Sequence, residues 1–183
     1  YEGGWRADVR RGRGRALSSD GSTYDGDWHG DRRSGHGEET RTDGSVYVGK
    51  WVNDRRNGMG TVVLSARAAH AGERRETYRG DWSDGHQHGQ GEYSWPNGDV
   101  YSGEWRLGVQ QGQGRLVTSD GHVYEGRWTC NEKHGPGKQT YPSGDVYTGA
   151  WHNGARSGHG ELVAASGDVY VGAWRADMQE GQG

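Results

Sequence analysis

The feature that most constrains this chain is a five-residue string, Tyr-x-Gly-x-Trp, that occurs eight times in 183 residues. It runs Tyr1 to Trp5, Tyr24 to Trp28, Tyr47 to Trp51, Tyr78 to Trp82, Tyr101 to Trp105, Tyr124 to Trp128, Tyr147 to Trp151 and Tyr170 to Trp174. Seven residues after each Trp stands a Gly-x-Gly, at 12/14, 35/37, 58/60, 89/91, 112/114, 135/137, 158/160 and 181/183. Six of the seven spacings are 23 residues and one is 31. A period of this length marks a repeat architecture, in which no unit buries its apolar face alone and stability comes from stacked neighbours.

The local pattern specifies the repeating unit. In Tyr24-Asp25-Gly26-Asp27-Trp28, alternation places the two rings and the glycine on one face and the carboxylates on the other, as in a strand. His29 to Ser34 is polar and reads as a loop, and Gly35 to Thr40 returns as a second strand. Asp43-Gly44 is the turn into the next repeat. Similar dipeptides stand at Asp20-Gly21, Asn97-Gly98 and Asp120-Gly121, with Ser-Gly at 143/144 and 166/167, where positive φ closes a hairpin. Glycine weakens a strand unless something must lie against the backbone, and a ring covering it recovers that cost. The expected fold is therefore all-β: an elongated, twisted, single-layer antiparallel sheet of tandem hairpins running through residues 1–183. Two strands per repeat, about 4.8 Å apart, give a rod of roughly 75–80 Å. Asp25, Asp27, Glu104, Glu125 and Arg127 are expected to face solvent.

Composition agrees with a thin layer rather than a thick core. Only 29% of residues are hydrophobic, Phe and Ile are absent, and 36 glycines accompany 9 Trp and 10 Tyr. The register of these aromatics argues against disorder. One cysteine, Cys130, excludes an internal disulfide framework and fits a reducing compartment. No apolar run approaches the ~18 residues of a membrane span, and the chain reads as a piece of a longer protein. Residues 1–77 carry fourteen Lys/Arg against twelve Asp/Glu, and residues 78–183 carry eight against thirteen. Neither half has the basic footprint of a nucleic-acid binder.

The third repeat departs from the pattern. Seventeen residues separate Gly60 from Tyr78 where other repeats have nine, and the excess falls at 65–77. Insertions of this kind map to a loop on one edge; with Arg67, Arg74 and Arg75 it could also form a lip for a partner.

Tyr-x-Gly-x-Trp, a polar loop, Gly-x-Gly and Asp-Gly at a 23-residue period resemble the MORN repeat, with Tyr101 to Trp105 and Tyr124 to Trp128 close to its pattern. Gly4, Lys50, Ala150 and Ala173 depart from the usual acidic residue before Trp. The resemblance implies an elongated sheet acting as a scaffold or interaction module. Its members include protozoan cytoskeletal organisers, junctional membrane proteins and regulatory regions attached to lipid kinases or a histone methyltransferase. Eight repeats with no attached catalytic domain look most like the stand-alone protozoan scaffolds, which places the chain in the cytoplasm, at the cytoskeleton or the cytoplasmic side of a membrane.

No catalytic constellation emerges, so no enzymatic activity and no cofactor are expected. Gly-x-Gly lacks the helix and further residues of a phosphate loop. Cys130-x-x-x-His134 is a weak metal half-site that would need ligands from a second copy, so an interfacial zinc is the only metal considered. Protein partners rank first, with Tyr93, Trp95 and Tyr141, rings outside the regular positions, as candidate contacts. Anionic lipid ranks second. Arg10, Arg33 and Arg56 occupy the position five after Trp, thickened by Arg11, Arg32 and Arg55, and would align into a basic edge that fades into Gln87, Gln110, Lys133 and Gln179. Open end strands invite association, and a two-fold homodimer through the C-terminal repeats is expected.

Overall fold

The computed structural model describes residues 1–64 and 74–181. It divides into two units, Tyr1–Pro96 and Asn97–Gly183. The first holds β1 (Glu2–Arg6), β2 (Val9–Leu17), β3 (Thr23–His29), β4 (Arg32–Thr40), β5 (Val46–Val52), β6 (Arg55–Val63), β7 (Thr77–Ser83) and β8 (His86–Ser94). The second holds β9 (Val100–Arg106), β10 (Val109–Val117), β11 (Val123–Thr129), β12 (Glu132–Thr140), β13 (Val146–His152), β14 (Ala155–Val163), β15 (Val169–Arg175) and β16 (Met178–Glu180). Within each unit every strand pairs antiparallel with the next in the chain, and no helix occurs among the described residues. The all-β array of tandem hairpins is as the alternation of the motif requires. Of the third repeat's insertion, 65–73, with Arg67, lies outside the described residues.

Each odd strand presents Tyr, Gly and Trp on one face, and the rings are the core. Tyr47, Tyr78, Tyr101, Tyr124 and Tyr147 are completely covered. Each motif Tyr meets the Trp of its own strand edge-on, with centroids 5.2–5.3 Å apart. Inside each unit it also meets the Trp of the next repeat at 5.2–5.4 Å. Edge-to-face pairs add about 0.5–1.5 kcal/mol beyond the area they bury.

Polar tips are also satisfied within the array. All eight motif tyrosines donate their hydroxyl to the backbone carbonyl three residues on, at 2.8–3.1 Å. Inside each unit the indoles, such as Trp28, donate Nε1–H to the carbonyl of the second Gly-x-Gly glycine of the preceding repeat, at 2.9–3.4 Å. Because the tyrosine uses a main-chain acceptor, the residue before Trp can be Gly4, Lys50, Ala150 or Ala173 without loss of that bond. Where it is acidic it adds another: Asp27 and Asp81 accept the amide of His36 and Gln90, and Glu104 that of Gln113.

The glycines of Gly-x-Gly have two different tasks. The second supports the ring: a Cβ on Gly37 would sit 2.3 Å from the Tyr24 hydroxyl oxygen. The first lies in a bulge, where Ser34, Gly35 and His36 face Asp27 alone, and Gly35 takes a φ of 97° that L side chains avoid.

The predicted six-residue loop at 29–34 is instead a two-residue turn, with both strands continuing to its edge. Gly30 and Asp31 have φ of 56° and 65°, and the corresponding pairs, from Ala7-Asp8 to Ala176-Asp177, share positive φ at both positions, as a type I′ turn requires. Conversely, the Asp-Gly turns between repeats place only glycine at positive φ, Gly21 at 90°. There Asp20 accepts the Ser22 amide, and Gly21 donates to the Ser18 carbonyl.

These distinctions predict unequal effects of single changes. Gly37→Ala should cost about 1–3 kcal/mol, because ring or backbone must move. Gly30→Asn, with nothing near a new Cβ and a residue that tolerates positive φ, should stay within about 0.5 kcal/mol. Urea denaturation of both variants checks this, and equal losses would contradict it.

Candidate interaction groove

The position five residues after Trp governs how one repeat meets the next. It follows the tight turn and faces the same side as the rings, since Trp28 pairs with Arg33 across β3 and β4. Arg33 therefore lies over the aromatic layer, its guanidinium carbon 4.1 Å from the centroid of Trp51 and 5.7 Å from that of Tyr24. Arg10 and Arg156 sit 4.2 Å from Trp28 and Trp174. Arg56 and Lys133 occupy the equivalent space, Arg56 at 4.6 Å from Tyr47 and Lys133 at 4.8 Å from Tyr124. Cations so placed gain from the ring quadrupole, while burial draws the Lys133 ammonium below its ordinary pKa.

Three of these cations are fastened to the next repeat's turn. Arg10 Nε lies 3.1 Å from Asp31 Oδ1, its Nη2 donates to the Asp31 carbonyl at 2.7 Å, and its amide donates to Asp31 Oδ1 at 2.9 Å. Arg33 with Asp54, and Arg156 with Asp177, repeat the same three bonds. The Arg10 amide, then its guanidinium, hold the Asp31 carboxyl below the usual carboxylate range. Where the next turn carries glycine the cation finds another partner, Arg56 on Glu39 at 2.9 Å and Lys133 on Gln139 at 2.6 Å. Glu39, buried in β4, also receives Arg33 Nη1 at 2.6 Å and Arg41 Nε at 3.2 Å. Burial pulls its pKa upward, but the bonds from Arg56 and Arg33 and the charge of Arg41 prevail and hold it below the ordinary value.

Beside this cluster a cleft of about 720 Å³ opens over the first three repeats. Tyr24 and Trp28 line it, together with Ala16 and Leu17. Around it stand Arg10, Arg33 and Arg41 against the carboxylates of Asp20, Asp31, Glu39, Asp43 and Asp54. With the Arg56 that is paired to Glu39, four positive charges stand against five negative ones, a surplus of one negative charge.

The six arginines of the expected basic edge thus fall into separate groups. Arg10, Arg33 and Arg56 are partly buried on the rings and paired with carboxylates, whereas Arg11, Arg32 and Arg55 are exposed. Arg55 lies 3.4 Å from Asp84. Arg32 and Arg55 stand four residues after Trp but Arg11 stands six after, so the exposed three do not share one register position. Tyr93 is half-buried, its hydroxyl bonded to Glu76 and its ring 4.8 Å from Trp95. Tyr141, also half-buried, meets His122 edge-on at 5.6 Å. Cys130 is the exposed first residue of a tight turn, and the half-buried His134 packs at 5.1 Å from His152. No group of three or more metal-ligating side chains converges among the described residues. Sequence reasoning took Asp31 and Asp54 only as diluting the basic edge, and it missed Asp177, Arg156 and Glu39. The signal for the first four was present: an Arg five after one Trp coincides with an Asp three after the next.

The pH dependence of the Glu39 cluster follows from its sign. A depressed carboxylate pKa gives stability that is complete above the ordinary value and disappears as pH falls through the folded one. Glu39→Gln should cost about 1–2 kcal/mol at neutral pH, and the gap to the parent protein should close in acid. Denaturation midpoints measured across that range decide; a gap that widened in acid would contradict the assignment.

Comparison with known proteins bears on the repeats directly. The MORN repeat family model matches residues 1–23, 24–46, 47–64, 78–100, 101–123, 124–146, 147–169 and 170–183. A search of curated proteins found no match. Among solved structures, the chain is similar to the TCP domain of SAS-4 (dCPAP) of Drosophila melanogaster, in complex with a proline-rich motif of Ana2 (dSTIL). The two are 11% identical, with 88% of this chain and 90% of that chain covered and a TM-score of 0.46. It is also similar to the TCP10 domain of Danio rerio CPAP, in complex with a peptide of STIL, at 11% identity, 88% and 83% coverage and a TM-score of 0.40. The aromatic motif, the glycines that seat its rings and the family model agree along the chain, which belongs to the MORN-repeat family.

Proposed function

We propose that this protein is a non-enzymatic scaffold that binds other proteins through the ring-bearing face of its first three repeats, within a cytoskeletal or membrane-associated assembly in the cytoplasm. The observation that carries the reading is the cleft over Tyr24 and Trp28, with its five carboxylates and three arginines. Charge of this sign favours a polar segment bearing Lys or Arg, and it disfavours the headgroups of anionic lipid. The rings themselves are too well covered to serve as anchors, so contact falls to the charged groups above them. Self-association through the C-terminal repeats belongs to the same proposal, supported by Val169, Val171 and Met178, which are exposed there.

A second reading, attachment to anionic lipid, rests on the exposed Arg11, Arg32 and Arg55. One set of variants separates the two. Asp20→Asn with Asp43→Asn keeps the side-chain acceptors that Ser22 and Ser45 use in the turns while removing two charges. A lysine-rich peptide titrated calorimetrically should bind the parent in a salt-sensitive manner and bind this variant severalfold more weakly, with no change in Arg32→Glu/Arg55→Glu. Pelleting with anionic liposomes that is lost in the arginine variant, with no peptide binding at all, would establish the lipid reading instead.

A further inference from the structure

The aromatic layer of the first unit continues beyond the repeat motif. The alternating rings of the first four repeats run unbroken from Trp5 to Tyr78 at 5.2–5.4 Å. Tyr78 then meets Tyr93 at 6.5 Å, and Tyr93 meets Trp95 at 4.8 Å. Indoles separated by a single ring exchange an electron vacancy through it, and the vacancy stops where oxidation can be coupled to loss of a proton.

The hydrogen bonds decide where that is. Motif tyrosines donate their hydroxyls to backbone carbonyls, and Trp28, Trp51 and Trp82 donate their indole N–H groups to glycine carbonyls. A peptide carbonyl is not a base, so neither ring type can shed its proton there. Tyr93 differs, because its hydroxyl donates to the carboxylate of Glu76, a group able to take the proton. Burial, and then the bond to Glu76, raise the Tyr93 pKa, so the resting phenol keeps its proton, aimed at the Glu76 side chain.

We propose that the aromatic series of the first unit conducts oxidising equivalents from one-electron oxidants, and that Tyr93, with Glu76 as proton acceptor, is where they are trapped. The oxidant takes one electron from an indole of the series, leaving an indole radical cation. One electron then passes from the Tyr93 phenol to that radical cation, restoring the indole, while the phenolic proton moves to Glu76. The products are a neutral Tyr93 phenoxyl radical and a neutral Glu76 carboxylic acid.

Pulse radiolysis of the 183-residue chain in azide solution, where the azide radical is the oxidant, tests this. Indole radical absorption should decay into phenoxyl absorption, and a nitroso spin trap should mark Tyr93 by peptide mass spectrometry. Tyr93→Phe should lower the phenoxyl yield severalfold, and Glu76→Gln should slow its formation severalfold. Trp82→Phe, which keeps a ring but removes a relay, should slow conversion; Trp95→Phe should leave conversion in place. Near-ultraviolet circular dichroism confirms folding of each variant, and Glu76→Gln decides alone should Tyr93→Phe not fold. An unchanged yield and rate in Glu76→Gln would overturn the proposal. So would loss of conversion in Trp95→Phe with none in Trp82→Phe, since oxidation would then be local to Trp95.

Discussion

Everything in this molecule depends on a tyrosine ring lying flat over two glycines while its edge meets two tryptophans. Tyr24 covers Gly26 and Gly37, and a Cβ on either would fall within 2.5 Å of its hydroxyl oxygen. The ring can approach so closely only because two strands lack side chains there, and the strands tolerate such glycines only because the ring shields them. Once seated, it touches Trp28 in its own strand and Trp51 in the next repeat. Intra-repeat and inter-repeat packing are thus one interaction seen from two sides. That is why a chain of such low hydrophobicity holds a defined fold, and why a single hairpin has no independent core.

Over this layer lies a second set of bonds that is graded rather than uniform. Where Arg stands after one turn and Asp in the next, as with Arg10 and Asp31, three bonds join adjacent repeats at the turn edge. Where the next turn holds Gly85 or Gly154, the cation turns to Glu39 or Gln139 instead. Gln110 retains one of the three through its amide and Asn131. Most of these groups are partly exposed, so each fastening is modest in water. Their placement still distinguishes repeats whose cores are nearly the same, and it concentrates carboxylates and arginines over the first three.

Much of the fold was legible in the sequence because it rests on residues that repeat in phase. Tyr24, Gly26, Trp28 and Gly37 declare their shared face by spacing alone. The tight turn was hidden because positive φ is imposed by the hairpin rather than by its residues: Ala7, Leu107 and Cys130 adopt it as fully as Asp84 does. The basic edge was misplaced for a related reason. Position five after Trp looks like loop in sequence, but the strand reaches it, so Arg33 points onto rings rather than outward. Glu39 carried no signal at all, since its neighbours at that phase are Ala16, Val62 and Tyr93.

One detail of the tyrosine bond reaches further than packing. By donating to a main-chain oxygen, each motif tyrosine makes its anchor indifferent to the side chain on the residue that supplies it. Asp27, Lys50, Arg127 and Ala150 all serve. Those side chains belong to the opposite face of the strand, away from the rings. The two faces are therefore uncoupled as carriers of information: one is held constant by geometry, and the other can be rewritten position by position without the core registering the change.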